Sequence, residues 1–96
     1  MKYQDRCYQR EPSVVARNIA DEVILVPIRN NVADFDQAYT LNDIGGYIWK
    51  LIDGKTKVKE IKESITKEFG VTPERSEKDL IYFLSQLEKL KLIRQV

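Results

Sequence analysis

With 96 residues, the chain has room for one domain with a modest core; hydrophobic residues make up 43% and charged residues 32%. Sixteen Lys and Arg nearly cancel fifteen Asp and Glu, and a net charge of +1 argues against a dedicated nucleic-acid binder, which concentrates basic residues. One cysteine, Cys7, excludes an internal disulfide and points to a reducing compartment.

Residues 1–12 are polar and show no period, with Lys2, Arg6, Arg10, Asp5 and Glu11 around Tyr3, Cys7 and Tyr8. They read as a flexible N-terminal arm, to be ordered by a partner, ahead of a domain spanning 13–96. The arm lacks the apolar stretch of a signal peptide, and no run in the chain approaches the ~20 apolar residues of a membrane helix. A cytoplasmic protein without membrane contact is expected by exclusion.

Two β-like runs come next. Val14–Arg17 is the weaker; Glu22–Val26, rich in β-branched residues, apolar on both faces and bounded by Pro27, suits a central strand. Asn30 and Asn31 signal a turn. From Phe35 to Leu41 the pattern alternates, with Phe35, Gln37, Tyr39 and Leu41 on one face and Asp36, Ala38 and Thr40 on the other. This predicts a half-buried strand at a sheet edge.

The period then becomes helical. Ile44, Ile48, Leu51 and Ile52 come after a cap at Asn42 or Thr40, and Asp53-Gly54 ends the helix. Gly45-Gly46 inside it costs about 1 kcal/mol per glycine relative to Ala, so close approach of another backbone is expected there. Trp49, one residue past Ile48, is expected in the core. A second helix starts near Thr56, carries Val58, Ile61, Ile65 and Phe69 on its apolar face and closes at Gly70. A third runs from about Ser76, with Leu80, Phe83, Leu84, Leu87 and Leu90 as its stripe. Leu92–Val96 reads as a short terminal strand.

The reading is therefore α+β: an N-terminal three-stranded antiparallel sheet followed by a three-helix bundle, with a winged helix-turn-helix-like order. Common catalytic constellations are missing from the sequence. The chain has no histidine, so it cannot build a Ser-His-Asp or Cys-His pair, and Cys7 alone forms neither a zinc cluster nor a redox pair. The glycine spacing matches no phosphate-binding loop. The expectation is a non-enzymatic module with no metal and no cofactor.

The stretch from Leu41 to Gly54 resembles the signature of the PqqD family: Leu41-Asn42, a small residue at Gly45, Ile48-Trp49, Leu51 and Asp53-Gly54 stand at matching spacing. The likeness continues through Lys55–Ile61 and through Asp79-Leu80, Phe83-Leu84 and Leu87, and covers roughly residues 14–93. It implies a RiPP recognition element, a peptide chaperone that binds the leader segment of a ribosomally made precursor peptide. The leader adds as a strand above a groove shared with the third helix, and an enzyme, often a radical S-adenosylmethionine enzyme, modifies the rest.

Carried onto this sequence, the edge is Asp36, Gln37, Ala38, Tyr39 and Thr40, which holds no proline or lysine to block pairing. The groove wall is Lys78, Ile81, Tyr82 and Ser85, which turn away from the apolar stripe of the third helix. Two other readings compete. A winged-helix nucleic-acid binder would use the third helix, but Glu77, Asp79 and Glu88 oppose phosphate approach there. A structural subunit would pair its open edge with a second copy as a homodimer.

Overall fold

The computed structural model describes residues 2–96. It is an α+β fold of antiparallel sheets and three helices. In chain order the elements are β1 (Cys7–Arg10), β2 (Val14–Ile19), β3 (Glu22–Arg29), β4 (Val32–Ala33), β5 (Tyr39–Leu41), α1 (Asp43–Leu51), β6 (Asp53–Lys57), α2 (Val58–Phe69), α3 (Pro73–Lys89) and β7 (Ile93–Gln95).

The expected N-terminal sheet is present as β2, β3 and β5, with β3 central and the two-residue β4 pairing its far end. β3 does not stop at Pro27 but runs through it. Pro27 stands opposite Val14 with its nitrogen turned away from β2, so no β2–β3 bond is lost, and its carbonyl accepts from the Asp34 N–H. Asn30 and Asn31 both take positive φ, 51° and 67°, as the tight turn between β3 and β4 requires.

The expected strand from Phe35 to Leu41 is only half strand. Phe35–Gln37 form a 3-10 turn, closed by Gln37 N–H to the Asp34 carbonyl and Ala38 N–H to the Phe35 carbonyl. Local turn bonds satisfy that backbone, and the strand begins only at Tyr39.

A second sheet, in the order β6-β1-β7, has no counterpart in the sequence reading. Residues 7–10, which the sequence presents as part of a flexible arm, are its middle strand. Tyr8 supplies the reason: its ring is 1% exposed and belongs to the core. Burial, and then the neighbouring Tyr8 hydroxyl, push the Tyr3 phenol above its ordinary range. The Arg10 guanidinium donates to the Trp49 carbonyl at 3.5 Å and lies 5.9 Å from the Trp49 ring centre, tying β1 to the end of α1.

The three expected helices are present with shifted bounds, and α1 stops at Leu51, because Asp53-Gly54, expected to end it, already belong to β6. Asn42 caps α1, its Oδ1 accepting from the Gly45 N–H at 2.8 Å. The Asp53 carboxylate accepts the N–H groups of Lys55 and Thr56, and these bonds hold it below the usual carboxylate range. That turn and the pairing of β6 with β1 delay α2 to Val58. Gly70 ends α2 at φ 66°, as expected. α3 begins three residues before Ser76, capped by Thr72 with Pro73 in its first turn. Ser76 is buried instead, 2.9 Å from the Thr66 hydroxyl of α2.

Leu80, Leu84 and Leu87 of α3 meet Ile61 and Ile65 of α2, Ile48 and Trp49 of α1 and Leu25 of β3 in one core. Each such fully buried side chain contributes about 1.5–3 kcal/mol relative to exposure. The core faces of β3 and β5, with Val23, Leu25, Tyr39 and Leu41, rest on this cluster and fix the free edge of β5 beside the helices.

Candidate functional site

The hydrogen-bond alternation of an antiparallel sheet shows which backbone groups are open. The Ile28 N–H bonds the Ser13 carbonyl, and the Pro27 carbonyl accepts from Asp34 on the other side. Even-numbered residues of β3 therefore bond β2, and odd-numbered ones face β4 and β5. Val23 and Leu25 pair with Leu41 and Tyr39 in that bonded register, so the Thr40 N–H and C=O point outward. The neighbouring Ala38 carbonyl shares that outward direction, as does the Asn42 N–H. Thr40 is exposed, and no proline, lysine or bulge covers the edge.

The end of this edge meets the helices at Gly45, which is buried. A Cβ there would lie 3.3 Å from each of Leu41 Cβ, Asn42 Oδ1 and Phe83 Cε1. The missing side chain thus lets β5, the first turn of α1 and the middle of α3 converge. A Cβ on Gly46 would come within 3.1 Å of Val23 Cγ2. The close approach expected at the glycine pair exists, but the partners are side chains.

A cavity of about 280 Å³ opens at this convergence, lined by the cap residue Asn42, by Ile44, Gly45 and Ile48 from α1 and by Asp79, Tyr82 and Phe83 from α3. Its walls are mostly apolar, with Asn42, Asp79 and Tyr82 as the polar lining residues. Asp79 is paired with Arg75 at 3.6 Å on the helix surface. A larger recess, about 620 Å³, lies elsewhere between β2–β3 and β7. Its Arg29 and Arg94 are already held by Asp34 and Glu11, and it forms the seam between the two sheets.

The residues selected from sequence divide clearly. Tyr39 and Thr40 stand on the edge strand; Ala38 leads into it. Asp36 and Gln37 do not, because they belong to the 3-10 turn, where both are exposed. Tyr82, 66% exposed, reaches the cavity. Ile81 and Lys78 are exposed but do not line it, and the Ser85 hydroxyl donates back to the Tyr82 carbonyl of its own helix. Sequence reasoning missed Ile44, Ile48 and Phe83 as lining residues. Their place in the apolar stripes marked them as core, and Phe83 is only half-buried. The glycine pair was the available signal. Among the described residues, no three His, Cys, Asp or Glu side chains gather to hold a metal ion. No helix there is long and apolar enough to cross a membrane.

The β5 edge of this antiparallel sheet lies beside an apolar cleft between two helices, the arrangement that strand addition can use. The family model described as coenzyme PQQ synthesis protein D matches residues 22–93, and the chain belongs to the PqqD family. Among solved structures, TbiB1 in complex with the TbiA(β) leader peptide is similar. It superposes with a TM-score of 0.73 at 28% identity, over 90% of this chain and 94% of that one. No curated protein matches the chain.

Proposed function

We propose that this protein binds the leader segment of a ribosomally synthesised precursor peptide by strand addition at β5. It then presents the peptide to a modifying enzyme, such as a radical S-adenosylmethionine enzyme, in the cytoplasm. The observation that carries the reading is the outward N–H and C=O of Thr40 beside the α1–α3 cavity. Membership of the PqqD family and likeness to a domain solved with a leader peptide support it.

In this reading the chain is not an enzyme. Its part is to order a flexible peptide and raise the effective concentration of that peptide at the enzyme. Main-chain bonds to Thr40, Ala38 and Asn42 hold the peptide, and Tyr82 with the cavity selects a side chain. The winged helix-turn-helix-like description belongs to the proposal: α2 and α3 are joined through residues 70–72, with small sheets beside them.

The test is an NMR titration of the labelled chain with peptides translated from short reading frames beside its gene, and with duplex DNA in parallel. Saturable shifts at residues 38–45 and 79–83 with one peptide are expected. Shifts with DNA alone, along α3, would replace this reading with nucleic-acid binding. A second reading, self-association, is favoured by one observation: β2 also has an open edge, on which Ala16 and Asn18 turn their backbone groups outward. Mass that rises with concentration would support it.

A further inference from the structure

We infer that the peptide bound at β5 is basic where it passes the first turn of α1, carrying Lys or Arg there beside an apolar residue. This rests on the strand-addition reading and adds the chemistry of the ligand.

A second apolar recess, about 510 Å³, shares Asn42 and Ile44 with the α1–α3 cavity and is otherwise lined by Asp21, Glu22, Asp43 and Phe69. The two recesses adjoin at these shared residues, beyond the end of the edge strand. The floor of the second is the half-buried pair Ile44 and Phe69, and its rim is three exposed carboxylates. Val23 pairs with Leu41, so Glu22 stands just past the end of β5, where an added strand leaves the sheet.

Charge decides the occupant. Among the described residues, no Lys or Arg forms an ion pair with Asp21, Glu22 or Asp43. Lys50 lines the adjoining recess with Asp21, Asp43, Tyr47 and Phe69. The positive N-terminal end of α1 offsets part of the Asp43 charge, which leaves Asp21 and Glu22 against Lys50. A chain with net charge +1 thus presents an acidic rim at one end of its edge strand. A segment that lays an apolar side chain on Ile44 and Phe69 and raises an ammonium or guanidinium to the carboxylates fits both features. In antiparallel pairing these residues lie N-terminal to the paired stretch.

Two capped synthetic heptapeptides test this, Ac-KLKVTVT-NH2 and Ac-ELEVTVT-NH2, titrated into the labelled full chain at low ionic strength. The lysine peptide is expected to shift Asp21, Glu22, Asp43, Ile44 and Phe69. It should bind about five-fold tighter than its glutamate counterpart, a preference that fades near ~0.5 M salt. The double variant Asp21→Asn/Glu22→Gln, which leaves the α1 cap untouched, should lose the preference and keep the shifts at 39–41. Equal or tighter binding of the glutamate peptide overturns the inference, as does an absence of shifts around Asp21 and Phe69 with either peptide. Lysine-dependent shifts at the carboxylates without any at 39–41 would support a basic ligand and overturn strand addition.

Discussion

Replacing Thr40 by proline separates binding from folding. The Thr40 N–H faces outward, because the bonded register of β5 with β3 runs through Tyr39 and Leu41. Thr40→Pro therefore removes no hydrogen bond within the sheet, and Tyr39 is already in a strand, the region a following proline requires. The remaining cost is strain at φ, so Tm should fall by no more than about 5 °C. A bound peptide would lose much more. One N–H···O bond is worth about 1 kcal/mol net, and the carbonyl left without a donor costs about another 1–2 kcal/mol. The sum, about 2–3 kcal/mol, is a loss of about 30- to 150-fold in affinity. Isothermal titration calorimetry with the peptide that binds the wild type measures it, and circular dichroism confirms that the variant is folded. Thr40→Val, which keeps the N–H, should bind within about two-fold of wild type. A folded Thr40→Pro protein that also binds within two-fold would refute pairing at β5.

Three further outcomes are expected. Tyr82→Ala should leave Tm nearly unchanged, since the side chain is 66% exposed, while weakening peptide binding several-fold by the same calorimetry. Tyr8→Ala should cost about 3–5 kcal/mol in urea unfolding, a core-sized loss from a residue whose sequence context looks like an arm. Asp53 has its folded-state pKa depressed by bonds from Lys55 and Thr56, so its stabilisation is present above the unfolded value near ~3.9 and is lost as pH falls through the folded value. Thermal melts from about pH 5 to pH 2 should therefore fall more steeply for wild type than for Asp53→Asn.

Local periodicity made part of the fold legible in the sequence. The stripes of α2 and α3, the Asn42 cap, the Gly70 stop and the central place of β3 are decided within a few residues of each position. The second sheet was not legible, because its three strands come from the two ends of the chain and from the short link between α1 and α2. None of the three has a period long enough to detect, and their pairing is a tertiary event. The same limit applied to the site. Phe35 and Gln37 continue the alternation of Tyr39 and Leu41, yet the turn bonds of Asp34 and Phe35 capture that backbone first, and Phe35 is left 72% exposed. Phe83 and Ile48 carry a core pattern, and only the convergence at Gly45 shows that they also face a cavity.

The length of β5 also constrains how recognition is shared. An edge of three residues offers about four outward backbone groups, and four main-chain bonds at about 1 kcal/mol each give about 4 kcal/mol. Micromolar affinity requires about 8 kcal/mol net, after association has already cost at least about 4 kcal/mol. Backbone pairing at β5 is therefore too weak to bind alone, and side chains must supply the larger part. One large apolar side chain entering the 280 Å³ cavity adds about 2–3 kcal/mol, and contact with Ile44 and Phe69 adds more. β2 shows the converse. Its six residues offer a longer edge, but they are mostly exposed. Under the proposed function, the short strand beside the α1–α3 cleft discriminates between peptides, because discrimination requires pockets as well as an open edge.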